Sequence, residues 1–423
     1  MVKGRLVVSI VSCILTLLAV ARPQPLRAQE DVVWPNAESK ANSDDWIRLH
    51  HNQIRQMRPK VLVLNFVNGL SPDEAQKKAE RITAAIREGT RYHANQNPDA
   101  KPFLDYKIYK VVSITDPAPL SESQRMDGNS SLYPRVKDWK PGQPNFQYSA
   151  LFSEAFAGYY KEKDPNDPAR MMSLDELVTR GKVHEVWILA QQSTFGSPLP
   201  MVELKQAYDA TLRKIKDKSV QAGVGPLNDV PFIGRSLRIA YINNERGPGC
   251  AMETLGVSLE ALAESKAIPY FTRYFNEYAG FDLKTRYNMP FESFLKKPDN
   301  ITLEFTEPST LQYSVKGELH QVKRYYAVGG SARFTPNSLR PFDINSPDPV
   351  MSSIENYRMK NGNNGADKIE RWTSMRLAKY QALANDCVGP WIVYWWQNMP
   401  GLDNKALDEA DRPMKNWWPF LFY

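Results

Sequence analysis

VLVLNFVNGLSPDEAQKKAERITAAIREG, residues 61–89, sets the architecture. Its first seven residues are apolar apart from Asn65, and an unbroken apolar run, rather than an alternating one, is what a strand buried on both faces requires. Ser71-Pro72-Asp73-Glu74 then supplies an N-cap serine, a proline at the first helical position and a glutamate three residues after the cap. These predict a helix from Ser71 to about Glu88, stopped before Gly89. The same unit recurs down the chain. YKIYKVVSIT (106–115), VHEVWILA (183–190) and LRIAYIN (237–243) read as strands, and CAMETLGVSLEALAES (250–265) reads as the helix after the last of them. Helices are also expected at Tyr148–Tyr160, after the capping box Ser173-Leu174-Asp175-Glu176, and at 201–218, a charged amphipathic stretch.

Buried-type strands alternating with helices require parallel crossovers. The expected fold class is therefore α/β: a doubly wound, mostly parallel, Rossmann-like sheet over residues 29–300. Residues 301–423 are expected to form an irregular, aromatic-rich α+β portion packed on it. There ITLEFTE, LQYSVKG and KRYYAVGG read as short strands or loops, and the chain closes on WIVYWWQNMPGL and NWWPFLFY. Residues 116–147, rich in Pro, Gly, Asn and Ser, read as a long loop.

The first 28 residues carry Lys3 and Arg5, an apolar run from Leu6 to Ala21 and then a Pro-rich stretch. This is the pattern of a signal peptide, with Ala21 or Ala28 before the cut, and it places the mature chain outside the cell or in the periplasm. The apolar run is short of the roughly 20 residues of a membrane span, and no later stretch reaches that length. Two cysteines remain after it, Cys250 and Cys387, which an oxidising compartment lets pair; two free thiols are the alternative. The net charge of +7 is spread without basic blocks, so nucleic-acid binding has no support. The oligomeric state is left open.

VHEVWILA, the strand ending in INNERGPG, Pro336-Asn337-Ser338 and the final WW…NWW occur here as an ordered set. In that set the chain resembles a family of exported bacterial proteins of unknown function with EVW, NxERG and C-terminal NWW motifs. The resemblance runs from about residue 60 to the end. It implies an α/β fold and an exported compartment, and no activity. It also implies a histidine shortly before the Pro-Asn element and another in the helix after the Glu-Arg turn; here those places hold Arg333 and Gly256 or Ser258.

Several chemistries fail on spacing. GPGCAM has Met252 where a dinucleotide fingerprint needs its third glycine, and no P-loop occurs, so no cofactor is expected. His50, His51, His93, His184 and His320 show no ligand spacing, so no transition-metal site is expected. Asp343, Asn345 and Asp348 alternate as Ca²⁺ ligands would, without the glycine and terminal glutamate of an EF-hand loop. G-x-S-x-G is absent, GGSAR (329–333) matches it only loosely, and Pro248 removes an amide beside Cys250 that a nucleophile's oxyanion would use.

Paired acids are what remains. Glu245 follows a strand at the end where open α/β sheets bind ligands, and Glu253 and Glu260 follow on one helix face. Glu245, Arg246 and Glu253 are therefore the candidate catalytic residues, with Arg333 and Asn337 facing them. Trp395, Asn416 and Trp417 are candidates for stacking on and hydrogen bonding to sugar. Each has a structural alternative: an Arg246–Glu ion pair at a corner, a solvated helix face, a packed aromatic core. The expected function is an exported hydrolase acting on a glycan or cell-wall polymer. The alternative is a non-catalytic envelope or carbohydrate-binding protein, with a glycan or other small polar ligand as partner.

Overall fold

Apolar strands that must bury both faces build the middle of a central six-stranded sheet, and more polar strands form its edges. The structure is a computed structural model that describes Met1 and residues 32–39, 43–116, 128–192, 196–223 and 229–423. The signal segment lies outside the described residues. The sheet contains β1 (Lys60–Asn65), β2 (Lys107–Ser113), β3 (Glu185–Ala190), β4 (Met201–Tyr208), β5 (Lys214–Gln221) and β6 (Leu237–Asn243), in the order β2-β1-β3-β6-β4-β5. The first four in that order run parallel, and β4 and β5 add an antiparallel hairpin beyond β6. The fold is thus mixed α/β with a mostly parallel sheet.

Alternate residues of each strand enter two cores, as the pleat demands. Val61, Val63, Trp187, Leu189, Ala240 and Ile242 pack with α1 (Pro72–Gly89) and α4 (Pro248–Ser265). Leu62, Leu64, Val186, Ile188 and Ile239 pack with α2 (Glu154–Tyr160) and α3 (Leu174–Thr179). α1 begins as its sequence dictates: Ser71 Oγ accepts from Glu74 N at 3.2 Å while Glu74 Oε2 accepts from Ser71 N at 2.9 Å. At its other end a Cβ on Gly89 would stand 2.7 Å from the Trp396 ring, so only glycine lets the C-terminal segment close on this helix.

Residues Val32–Tyr423 form one unit. Past α5 (Pro269–Tyr278), a three-stranded antiparallel sheet contains β7 (Thr302–Glu307), β8 (Thr310–Val315) and β9 (Glu318–Lys323). Lys316 and Gly317 join β8 to β9 with φ of 52° and 85°, the conformation of a type I′ hairpin turn. The third strand is therefore ELHQVK, and KRYYAVGG, read as a short strand or loop, is a loop after Lys323. α6 (Gly389–Asn398) is buried at every position, and Trp391, Trp395, Trp396, Trp417 and Trp418 are all fully buried. Among the described residues no helix is long and apolar enough to cross a membrane.

Two helix expectations are corrected. Tyr148–Tyr160 splits into a 3-10 turn (Tyr148–Phe152) and α2, because Ser153 stops one and caps the other. Residues 201–218 form the β4–β5 hairpin, turned at Asp209, whose carboxylate accepts from Thr211 N at 2.8 Å and Arg213 N at 2.9 Å. The charges that suggested an amphipathic helix are partly internal. Glu203, on β4, stands opposite Arg238 of β6, which stands opposite Glu185 of β3. Arg238 pairs with Glu185, Lys205 Nζ lies 3.2 Å from Glu203, and all four side chains are buried. Tyr106 Oη and Trp187 Nε1 each donate to Glu185 at 2.8 Å. The C-terminal segment covers this row, with Leu421 O accepting from Lys205 Nζ at 3.1 Å and the Phe422 ring 5.4 Å from the Arg238 guanidinium.

Candidate functional site

The β6–α4 corner is held from the backbone outward. Asn243 Oδ1 accepts from Glu245 N at 2.8 Å, and Lys78 Nζ donates to Arg246 O at 2.6 Å. Pro248 stands at the first turn of α4, and the free amides beside it are taken by one carboxylate: Asp386 accepts from Gly247 N at 2.7 Å and Gly249 N at 2.8 Å. A carboxylate on two amides at a positive helix end is a favourable cap. It also fills the place an anionic ligand would take. A Cβ on Gly249 would stand 2.1 Å from Asp386 O, so the N-termini of α4 and α6 meet through glycine. Cys250 and Cys387 are joined in a disulfide beside this contact, with Cα atoms 5.1 Å apart.

Glu245 and Arg246 are exposed, and no ion pair joins them among the described residues. Glu253 and Glu260 do share a helix face, and both meet the GGSAR segment. Glu253 Oε1 lies 3.0 Å from Arg333 Nε, and Glu260, only 8% exposed, accepts from Ala332 N at 2.7 Å. Burial pushes the Glu260 carboxyl up, against the opposing pull of the Ala332 amide and Arg333. A Cβ on Gly256 would stand 3.1 Å from Ala332 Cβ, so this helix face packs directly on the GGSAR segment.

The remaining sugar-contact expectations need correction. Asn337 is 1% exposed; its Nδ2 donates to Ser346 O and Asp348 O, and its Oδ1 accepts from Thr335 Oγ1. It is a loop staple. Trp395 and Trp417 lie inside the core, ringed by Phe275, Tyr278 and Phe271, and offer no face to a ligand. Aromatic area that seals a core looks in sequence like area that stacks on sugars.

Asn416 alone of that set lines a large cavity. This cleft of about 730 Å³ runs between residues 51–55, the β4–β5 turn, Tyr270 of α5 and the 401–416 loop. Its walls are mostly polar. Arg55 pairs with Asp403 at 2.6 Å and Arg412 with Asp408 at 2.8 Å. Arg412 and the amides of Arg412 and Ala410 hold the Asp408 carboxyl below the usual carboxylate range. Lys415 Nζ donates to Asn52 Oδ1 at 3.2 Å and has no carboxylate partner among the described residues, so the three lining cations exceed the two lining anions by one charge. Tyr270 Oη accepts from Lys415 N at 3.0 Å.

His51 sits at the cleft's inner wall. Its Nε2 donates to Asn416 O at 2.8 Å and its Nδ1 accepts from Tyr423 Oη at 2.7 Å. Burial pushes it down to about 3, so it is neutral and fully engaged at working pH. It fixes Asn416 and is not placed to move a proton. Reading in sequence missed Asn52, Arg55, Tyr270, Asp403, Asp408, Arg412 and Lys415. The one available signal was DNKALDEADRPMKN (403–416), a polar stretch between two aromatic ones.

No family model matches the chain, and no curated protein matches it.

Proposed function

We propose that the protein binds a glycan in the cleft at Tyr270, Lys415 and Asn416 and does not hydrolyse it. The observation that carries this reading is the cleft itself: about 730 Å³, walled by amide, hydroxyl and charged groups with a tyrosine beside them. Ligand sites fall in the range of about 300–1,000 Å³ and fix orientation through a few convergent polar groups. A sugar presents many hydroxyls, which such a wall can both donate to and accept from. The excess positive charge favours saccharides carrying a carboxylate over neutral ones.

Binding is favoured over hydrolysis by the state of the acids. A glycosidase needs one carboxyl kept protonated beside one kept ionised. In the cleft both Asp403 and Asp408 are paired to arginine, and Asp408 is held ionised. At the corner, the Glu260 carboxyl is raised but is buried with its Oε1 taken by Ala332 N, Glu253 is paired to Arg333, and Glu245 is exposed with no ion pair among the described residues.

An exported location fits the same reading. A disulfide persists in oxidising compartments, and the N-terminal sequence has the pattern of a signal peptide. We also read the sheet as doubly wound. Helices cover both faces, and in chain order the parallel strands run second, first, third, fourth across the sheet, an order found in doubly wound folds.

Calorimetric titration against neutral and uronic-acid oligosaccharides tests the proposal, with a reducing-end assay run in parallel. Binding without released ends, weakened about tenfold or more by Lys415→Met or Asn416→Ala, is expected. No binding by any saccharide, or equal binding by both variants, overturns it.

A further inference from the structure

Cys250, Asp386 and Cys387 bring two sulfurs and a carboxylate oxygen within 4.8 Å of one another where the N-termini of α4 and α6 meet. Cys250 is the third residue of α4; Cys387, with φ of 48°, lies two residues before α6. Cys387 is exposed and the other two are half-buried. In the oxidised protein the sulfurs are bonded to each other and neither can hold an ion.

We propose that reducing this bridge opens a site for a thiophilic divalent cation, Zn²⁺ by preference, held by the Cys250 and Cys387 thiolates and an oxygen of Asp386. The chemistry follows from what reduction leaves behind. Two soft thiolate donors and one carboxylate are a zinc-type set, with a fourth position open to water on the exposed side. Asp386 is oriented in advance, since each of its oxygens already accepts one backbone N–H and keeps a lone pair free. The same two bonds mean that the positive end of α4 is already matched. A thiolate formed beside Asp386 thus meets like charge, and a bound cation relieves that clustering.

The steps balance. A phosphine gives its electron pair to the Cys250–Cys387 bond while one water supplies the two thiol protons and the oxygen of the phosphine oxide; alternatively two equivalents of a small thiol supply both electrons and protons and leave as the small disulfide. The divalent ion then displaces the two thiol protons. Cys387 is an exposed residue, which gives the reductant access to the bridge. Occupancy is therefore gated by redox state: an oxidising compartment keeps the site shut, and reducing conditions open it.

The test uses the full chain reduced with a phosphine under native conditions, its fold followed by circular dichroism and its thiols counted. The reduced protein is titrated with Zn²⁺ against a chromophoric chelator, and with Cd²⁺ while thiolate-to-metal charge-transfer absorption is recorded. One equivalent bound by the reduced protein, none by the oxidised or thiol-alkylated protein, and at least tenfold weaker binding by Asp386→Asn are expected. A bridge that stays oxidised unless the protein unfolds overturns the proposal. So does reduced protein that shows no charge-transfer band, or an Asp386→Asn variant that binds as tightly as the parent.

Discussion

Replacing Arg238 with methionine tests how the buried charge row is held. Arg238 is 2% exposed and stands in register between Glu185 on β3 and Glu203 on β4. Methionine keeps much of the volume and deletes the charge, its pairing with Glu185 and its bond to Tyr106 Oη at 2.9 Å. Glu203 keeps Lys205, and Glu185 keeps Tyr106 and Trp187. What is left is a buried carboxylate with neutral partners only, and breaking a buried pair from one side costs about 3–5 kcal/mol. The sign of the pH effect follows. Burial already raises Glu203, and losing Arg238 removes one of the charges that pulls it down, so Glu203 favours protonation more strongly in the folded state than in the unfolded chain. The deficit is therefore full near pH 7.5 and shrinks as pH falls and Glu203 takes up its proton, by up to about 1.4 kcal/mol per pH unit. Urea unfolding followed by tryptophan fluorescence at pH 7.5 and pH 5 measures both quantities, and Arg238→Met/Glu185→Gln should recover part of the loss. A cost below about 1 kcal/mol, equal at the two pH values, would refute the reasoning.

Three other expectations concern the corner and the histidines. Asp386→Ala removes the acceptor of two α4 amides and should cost about 1–3 kcal/mol, seen as a lowered thermal midpoint; an unchanged midpoint contradicts the capping role. Gly249→Ala places a Cβ 2.1 Å from Asp386 O, and should destabilise by about 3 kcal/mol, against a gain of about 0.5–1 kcal/mol for the same change at an unhindered helix position. His51 is held down to about 3 and takes up its proton only on unfolding, so its contribution is intact above about pH 6.5 and is lost as pH falls toward 3. The stability difference between parent and His51→Gln should then shrink by up to about 1.4 kcal/mol per pH unit over that window, and a constant difference from pH 7 to pH 4.5 would speak against a buried neutral histidine.

The parallel core was legible because its central strands are mostly apolar and its helices announce their starts. Ser71 and Ser173 cap the helices their sequences imply. The β4–β5 hairpin was not legible, because Glu203 and Lys205 are paired inside the protein while sequence patterns count charge as surface. The candidate site was misread for a related reason. Trp395, Trp417 and Asn337 have the chemistry of ligand contacts, but packing consumes them, and burial is decided by residues far away in the chain. The cleft gathers residues 51–55, 210–212, 270 and 401–416, a set joined by topology and by no local spacing.

Hydrogen exchange with and without a saturating oligosaccharide tests the central claim most directly. The account predicts added protection in residues 51–55, 209–213 and 401–416, with the β6–α4 corner unchanged. Protection confined to residues 243–253 and 329–340 would contradict it and return the site to Glu245, Glu253 and Arg333.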